Sequence, residues 1–469
     1  MSGGRAAFEP LDGELRDLVG SLIERLRVPG AAIAIVRGES EQVGCFGVTN
    51  IEHPAPIAPD TLFQVGSITR TVTATAAMRL MDAGRLDIDA PIRTYLPDFR
   101  LADEDVARRV TLRHIFTHRA GWSSDHLPSF GEGDDALARC VAGLADMPQL
   151  SALGEIFNYL PSAASVAGRV IEVVTGEPYE VATRRLVLEP LGMRDSCFTA
   201  TEAITHSVAV GHHIHDERPV VARPWGTPRS GRPGAGLITS LVDMLGYLRF
   251  QLGDGRFGDR RVLSERSFRL MHAPLARAAL GEYVGLAWFV RDTPSGPLLR
   301  HAGGSDGHYC WIQFAPLRGY GVVMLSNASN NPFVYELTRW LLARYLGIEQ
   351  PRADRWLAQA KSPDERILPF VGHYDMPRAH VELVRRDQGL VAQVTLKPFT
   401  GGSPPPALPP MRLVFTGVDR VVVIDPPWHD MAGEFIRDPG GRLTWLQLGD
   451  KTYAYRGRAA QVTAPATIG

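Results

Sequence analysis

The spacing of apolar residues predicts alternating helices and strands at the start of the chain. Between Glu14 and Leu26 the apolar residues recur at helical spacing, which is typical of an amphipathic helix. Two β-rich runs, 31–36 and 42–48, lie on either side of Arg37-Gly38 and predict a hairpin. The Ala- and Met-rich segment 71–83 predicts a second helix. The chain is therefore expected to open as helix, hairpin and helix.

Strand-like patterns return from Val284 onward, and an amphipathic helix at 332–346 follows them. The intervening segment, about 85–245, combines helical patterns with turns and loops, so it is interpreted as a helical insert. Strands before and after this insert predict an α/β fold: an antiparallel sheet sandwiched between helices, with a helical subdomain. The later strands are predicted at 285–290, 298–300, 310–314 and 321–325.

The composition changes after Gly347, which indicates a second domain. Residues 350–366 are polar and are interpreted as a linker. Beyond them, short alternating strands separated by turns predict a small antiparallel β-barrel. The predicted domains are thus 1–349 and 367–469. The barrel strands are predicted at 380–384, 390–395, 412–415, 421–424, 434–437, 443–448 and 452–455.

Composition excludes several classes of function. The 50 Lys and Arg residues balance 51 Asp and Glu residues, so no basic excess favours nucleic acid or an anionic membrane as partner. The apolar stretch 28–36 is too short to span a bilayer, and the N-terminus lacks a signal-peptide pattern, which predicts a cytoplasmic protein. The four cysteines lie far apart without a CxxC and are expected to be free thiols. The histidines of 212–215 are interpreted as a surface strand, so no metal or cofactor is predicted.

A candidate nucleophile lies at the start of the second predicted helix. Ser67 follows Gly66 and lies where helix N–H groups have no intrahelical partner. Arg70, three residues later, is expected on the same face as Ser67. Taken alone, this segment is compatible with an ordinary N-cap serine.

A series of ordered segments favours a catalytic interpretation instead. Together they resemble the serine β-lactamase and penicillin-binding-protein family, which includes class C β-lactamase-like proteins and their D-aminopeptidase, esterase and transacylase relatives. The resemblance covers roughly residues 14–346 and implies a β-lactamase-like catalytic domain, followed by a lipocalin-like barrel. The segments are Val28-Pro29-Gly30-Ala31-Ala32, Asp60-Thr61-Leu62-Phe63-Gln64-Val65-Gly66-Ser67, Gly84-Arg85-Leu86-Asp87-Ile88-Asp89, Tyr95-Leu96-Pro97 and the segment from Thr111 to Gly121.

The resemblance also assigns the remaining site residues. Tyr159 occupies the place of the tyrosine in the family's Y-S-N or Y-A-N element, but Pro161 stands where the asparagine is expected. The third motif is H-x-G, here starting at His301, and it implies an oxyanion hole formed by backbone N–H groups of Ser67 and Gly304, with Gly303 beside them. The alternatives are a core or rim tyrosine for Tyr159 and a strand-end histidine with a structural bond for His301.

The first motif departs from the family, because S-x-x-K is replaced by a sequence ending in Arg70. A lysine can lose its proton and act as a base, whereas an arginine stays charged. The favoured hypothesis is a serine hydrolase or acyltransferase that acts on an amide, ester or thioester through acyl-Ser67, with Tyr159 as base and Arg70 as a fixed cation. The alternatives are a retro-aldol-type lyase with Tyr159 or His301 as base, and a non-catalytic binding protein. The expected partner is a small-molecule or peptide-like substrate, and no oligomeric state is predicted.

Overall fold

A computed structural model gives the fold of the chain. The residues that it describes are 8–123, 129–216, 218–278, 280–329, 332–350, 355–356, 362–377, 379–387, 389–397, 408–426, 428–449 and 451–457. Most of the predicted linker 350–366 and the end of the chain after 457 therefore lie outside the described residues.

The N-terminal domain is built on a nine-stranded sheet with the order β1-β3-β2-β15-β14-β13-β12-β11-β10. Only the β1–β3 pair is parallel among the described pairings of this sheet. Three further two-stranded sheets are formed by β4 with β7, β5 with β6 and β8 with β9. The strands of this domain are β1 (Glu9–Pro10), β2 (Gly30–Arg37), β3 (Ser40–Gly47), β4 (Leu62–Gln64), β5 (His212–His215), β6 (Arg218–Val221), β7 (Ile238–Ser240), β8 (Arg256–Phe257), β9 (Arg260–Arg261), β10 (Ala276–Arg277), β11 (Tyr283–Val284), β12 (Phe289–Thr293), β13 (Gly296–Ser305), β14 (His308–Ala315) and β15 (Tyr320–Ser326).

Helices cover both faces of this sheet. The described helices are α1 (Gly13–Arg25), α2 (Thr69–Asp82), α3 (Glu104–Arg109), α4 (Leu112–Phe116), α5 (Ala136–Ala142), α6 (Ala163–Thr175), α7 (Tyr179–Thr183), α8 (Ala200–Ala203), α9 (Arg232–Ala235), α10 (Leu241–Leu252), α11 (Glu265–His272), α12 (Pro332–Leu346) and α13 (Asp364–Ile367).

The strand β2 shows why the sheet has a helical layer on each side. It has no polar residue before Arg37, and every residue from Gly30 to Val36 is buried. Ile33 and Ile35 belong to the core cluster that contains α1 and α12. Ala34 and Val36 belong to the second cluster, which contains α2 and α10. Because alternate residues of a strand point to opposite faces, both faces are apolar and both are covered.

The helix α2 is buried on nearly all sides, although it contains four threonines. Their hydroxyls are satisfied by backbone carbonyls: Thr71 Oγ1 donates to Ile68 O at 2.7 Å, and Thr75 Oγ1 donates to Thr71 O at 2.8 Å. Such side-chain-to-backbone bonds allow a polar helix to be buried without unpaired hydroxyls. The core of the domain therefore fixes α2, and with it the residues at its N-terminus.

The C-terminal domain is a closed barrel of eight antiparallel strands, in which the first strand pairs with the last. The predicted α/β fold and the predicted barrel are thus confirmed. Seven barrel strands were predicted, and the missing one is the first, in which His373 and Asp375 alternate with buried residues. The strands are β16 (Gly372–Met376), β17 (Ala379–Arg386), β18 (Gly389–Leu396), β19 (Met411–Phe415), β20 (Arg420–Val423), β21 (Ala432–Arg437), β22 (Leu443–Leu448) and β23 (Lys451–Tyr455).

Two other predicted elements need correction. The strand predicted at 285–290 is wrong over residues 285–288, because the chain leaves the sheet between β11 and β12 and Ala287 adopts a φ of 65°. The strand predicted at 298–300 is longer and continues through the glycine-rich motif to Ser305. All four cysteines are free, as predicted. No helix among the described residues is both long and apolar enough to cross a membrane.

Candidate active site

A tight turn presents Ser67 at the N-terminus of the central helix. Strand β4 leads into a 3-10 turn, Gly66–Ile68, which continues directly into α2. Gly66 has a φ of 50°, a conformation that glycine adopts without the strain of a side chain. Ser67 is half-buried between neighbours that are fully buried. Within the described part of the chain, its Oγ has no hydrogen-bond partner, so it is available to a substrate.

The glycines of β13 pack directly on this turn. A Cβ atom added to Gly303 would lie 1.8 Å from the carbonyl oxygen of Val65, and one added to Gly66 would lie 2.3 Å from the carbonyl oxygen of Gly304. The pairing of β13 with β12 ends at Arg300, so residues 301–305 form an edge on that side. Gly304 itself is exposed. A glycine edge beside the serine turn leaves room for a substrate backbone.

This packing predicts that Gly303→Ala destabilises the catalytic domain. The new methyl group would force β13 away from the turn that carries Ser67, and overpacking of this kind costs about 1–3 kcal/mol or more. Gly304→Ala is the matched control, because its Cβ would meet nothing closer than Tyr309 Cδ2 at 3.9 Å. The free energy of unfolding, measured by denaturant titration, should fall for Gly303→Ala alone. Equal stabilities of the two variants would show that the turn and strand are not in close contact.

Arg70 is a buried cation without a carboxylate partner among the described residues. It is 6 % exposed, and its Nη1 and Nη2 donate long hydrogen bonds of 3.4 Å to the carbonyl oxygens of Leu160 and Pro161. Its Nε has no partner in the described structure. These two backbone carbonyls orient the cation at the place where the family's asparagine side chain is missing. A buried charge without a counter-ion is costly, so an anion is expected to form or to bind beside it.

Tyr159 lies beside this cation in the loop that precedes α6. The Arg70 Cζ is 4.9 Å from the centroid of the Tyr159 ring. The His118 ring packs on the same tyrosine, with the ring centroids 4.5 Å apart. Tyr159 is half-buried, and its hydroxyl has no hydrogen-bond partner within the described ranges. The structure thus brings together an unpaired phenol and a fixed positive charge.

His118 holds the loop that carries Tyr159. The N–H of Asn158 donates to His118 O at 3.0 Å, and the N–H of Leu160 donates to His118 Nδ1 at 3.2 Å. Burial lowers the pKa of His118 well below its usual range, and the charge of Arg70 lowers it further. The neutral ring can therefore accept the Leu160 bond at physiological pH. His118 therefore acts as a buried structural histidine that holds this loop.

His301 is buried at the start of the glycine edge of β13. Its Nδ1–H donates to Ala302 O at 2.6 Å, and its Nε2 has no partner within the described residues. Burial lowers the pKa of His301 to about 3, and the charges of Arg70 and Arg300 add to this effect. His301 is thus neutral near pH 7 and presents a lone pair rather than a charge.

The predicted site residues lie around one point of the fold. Gly303 and Gly304 contact the turn that carries Ser67, and Arg70 contacts Tyr159. One neighbour was missed, because Lys451 of the barrel lies with its Nζ 5.2 Å from the centroid of the Tyr159 ring. It is separated from Tyr159 by 292 residues, and no motif in the sequence marks it.

The histidine-rich strand β5 was predicted to lie at the surface, but this is wrong for its first residue, His212, which is fully buried, whereas His215 is exposed. His212 is buried, with Nδ1 2.9 Å from Asn327 O and Nε2 accepting from the Ile51 N–H at 3.3 Å. Both ring nitrogens are therefore engaged by the backbone. Within the described residues, no group of three His, Cys, Asp or Glu side chains is arranged to hold a metal ion.

An α/β sandwich that presents a serine at the N-terminus of its central helix, beside a glycine edge strand, has the architecture of an acyl-transferring serine enzyme. Comparison with known proteins agrees, since the family model described as Beta-lactamase matches residues 15–346. The chain belongs to the β-lactamase and penicillin-binding-protein family. Members of this family are serine hydrolases and acyltransferases that act on small-molecule or peptide substrates.

Three similar proteins illustrate this membership. Penicillin-binding protein 4 of Amycolatopsis lactamdurans is 31% identical over 358 residues, which are 74% of this chain and 93% of that protein. The crystal structure of SurE superposes with a TM-score of 0.73 at 23% identity and covers 95% of this chain and 100% of SurE. EstCE1, a hydrolase with promiscuous acyltransferase activity, superposes with a TM-score of 0.61 at 22% identity over 69% of this chain and 96% of EstCE1.

Proposed function

We propose that this protein is a serine hydrolase or acyltransferase that acts on an amide, ester or thioester through an acyl-Ser67 intermediate. The observation that carries the proposal is the placement of Arg70. Its buried guanidinium lies over the ring of Tyr159 and has no carboxylate partner among the described residues. The Arg70 Cζ lies 4.9 Å from the centroid of this ring, so a fixed positive charge is in place to stabilise negative charge that develops as Tyr159 acts in proton transfer. The site thereby gains a base although the family's lysine is absent.

The proposed reaction begins with transfer of the Ser67 hydroxyl proton to the Tyr159 phenolate. The Ser67 Oγ attacks the substrate carbonyl, and the backbone N–H groups of Ser67 and Gly304 stabilise the oxyanion of the tetrahedral intermediate. The intermediate collapses and expels the leaving group, which takes the proton from Tyr159. Water or a second nucleophile then gives its proton to the phenolate and attacks the acyl group. The second tetrahedral intermediate collapses, and Ser67 Oγ leaves and takes this proton back from Tyr159, which restores the serine and the phenolate.

His301 is less suited than Tyr159 to be the base. Its pKa is lowered to about 3, so it binds a proton only weakly at neutral pH. Its Nδ1–H is already held by the carbonyl of Ala302. We assign to His301 a supporting role at the edge of the site, where its unpaired Nε2 accepts a hydrogen bond from a water molecule or from the substrate.

Covalent labelling tests the acyl-enzyme proposal without knowledge of the substrate. A fluorophosphonate probe should add one phosphonyl group, which intact mass and peptide mapping should locate on Ser67. Ser305 provides the control, because it lies on the glycine edge strand β13 beside the site. Its Oγ donates to Gln64 O. Labelling should persist in Ser305→Ala and vanish in Ser67→Ala. A protein that gains no adduct, or gains it at another serine, would contradict the proposal.

A further inference from the structure

The barrel contacts the loop that carries Tyr159 through two neighbouring side chains of β23. The Lys451 Nζ donates to the carbonyl oxygen of Tyr159 at 3.3 Å. The Thr452 Oγ1 donates to the carbonyl oxygen of Phe157 at 2.8 Å, in a buried position. Alternate carbonyls of one loop thus accept hydrogen bonds from the other domain.

These contacts add to the hydrogen bonds that the N-terminal domain makes with the loop. On its other side, His118 accepts from the N–H of Leu160, and the His118 carbonyl accepts from the N–H of Asn158. Residues 157–160 belong to no helix or strand in the structure, so their backbone groups need partners from elsewhere. His118 therefore accepts from two backbone N–H groups of the loop, and the barrel donates to two of its carbonyl groups.

Lys451 also adds a second positive charge to the surroundings of Tyr159. Its Nζ is 5.2 Å from the centroid of the Tyr159 ring, and the Arg70 Cζ is 4.9 Å from the same point. Arg70 faces the tyrosine from α2, His118 faces it from the turn after α4, and Lys451 faces it from β23. The pKa of His118 is lowered mainly by burial, and the charges of Arg70 and, more weakly, Lys451 contribute. His118 is therefore neutral, and among the described residues Arg70 and Lys451 are the charged side chains that face this ring.

We infer that Lys451 is a positioning residue of the active site, through which the barrel fixes the Tyr159 loop and places a second positive charge beside the Tyr159 ring. This inference rests on the proposed role of Tyr159 as base. Two residues would then supply the positive charge that the family's lysine provides. Arg70 carries a permanent charge on α2, and Lys451 contributes an ammonium group from the other domain. The N-terminal domain alone would then contain the nucleophile but an incomplete base.

The rate of Ser67 phosphonylation as a function of pH tests this inference in the full-length protein. Lys451→Met removes both the charge and the donor. It should slow labelling by about 10- to 100-fold, which does not exceed the rate contribution of a general base. It should also move the acid limb of the pH–rate profile to higher pH by about one unit. The sign follows from the charge, because loss of a cation disfavours the phenolate and a higher pH is then needed to form it.

Three further variants separate charge, anchoring and folding. Lys451→Arg keeps a cationic donor and should restore most of the rate with an unmoved acid limb. Thr452→Val removes the neighbouring anchor but no charge, so it should slow labelling without moving the limb. Lys397→Met is the matched control, because Lys397 is another barrel lysine that donates to a backbone carbonyl, Met376 O at 3.4 Å, and it should behave as wild type.

The outcomes distinguish failure of the inference about Lys451 from failure of the acyl-Ser67 proposal on which it rests. If the wild-type protein does not label at Ser67, the acyl-enzyme proposal fails. If Ser67 labels but Lys451→Met keeps both the wild-type rate and the wild-type acid limb, only the inference about Lys451 is overturned. A Lys451→Arg variant that is as slow and as shifted as Lys451→Met, while its thermal unfolding matches that of wild type, would overturn it as well.

Discussion

Replacement of Ser67 by alanine is expected to reduce turnover of the natural substrate by about 10³- to 10⁶-fold, as the loss of a nucleophile does in serine enzymes. The physical reason is that the covalent route disappears, while the glycine edge and the cation still bind the substrate. The KM should therefore change little compared with kcat. Steady-state kinetics on a library of ester, thioester and amide substrates would provide the measurement.

Ser305→Ala is again the control, since it removes a hydroxyl from the glycine edge strand β13 without removing the nucleophile. A Ser67→Ala variant with an unchanged rate would exclude covalent catalysis. If the reaction products then showed cleavage of a carbon–carbon bond, lyase chemistry with Tyr159 or His301 as base would replace the acyl-enzyme proposal.

Tyr159→Phe is expected to reduce the rate by about 10²- to 10⁴-fold, which is the usual contribution of a general base. The change removes only the hydroxyl, which has no hydrogen-bond partner in the described structure, so the fold should remain intact. The packing of the ring against His118 and Arg70 is retained. The pH profile of kcat/KM, with thermal unfolding as a check on stability, would measure the effect.

A second substitution makes this experiment sharper. Arg70→Lys introduces an amine that can lose its proton, so in the Tyr159→Phe background it can supply the missing base. Recovery of part of the rate in this double variant would support the assignment of the base to this location. Wild-type kinetics of Tyr159→Phe alone, across the pH range, would refute the role of Tyr159 and direct attention to His301.

The sequence predicted the parts of the site that depend on local pattern. Ser67 follows a glycine at a helix start, and the glycines after His301 lie on an edge strand, and both positions follow from local sequence patterns. The departure at Arg70 was also visible in the sequence. Its orientation was not, because it depends on the backbone carbonyls of Leu160 and Pro161 rather than on a side chain.

Long-range contacts and unusual backbone conformations account for what was missed. Lys451 contacts Tyr159 only because the two domains dock. The spacing of apolar residues along the chain does not predict such a contact between domains. The strand predicted at 285–290 satisfied the apolar pattern, but Ala287 has a positive φ that breaks the sheet. The first barrel strand was not predicted, although His373 and Asp375 alternate with buried residues in it.

The two hydrogen bonds from β23 to the Tyr159 loop bear on the modularity of the protein. The domains also contact each other through an ion pair of Arg277 with Glu434 at 2.8 Å, in which Arg277 is exposed and Glu434 is buried. A chimera that receives a foreign barrel must also reproduce a donor at each of the positions of Lys451 and Thr452. Recombination between relatives is therefore constrained at two adjacent residues of one strand, far along the chain from the nucleophile.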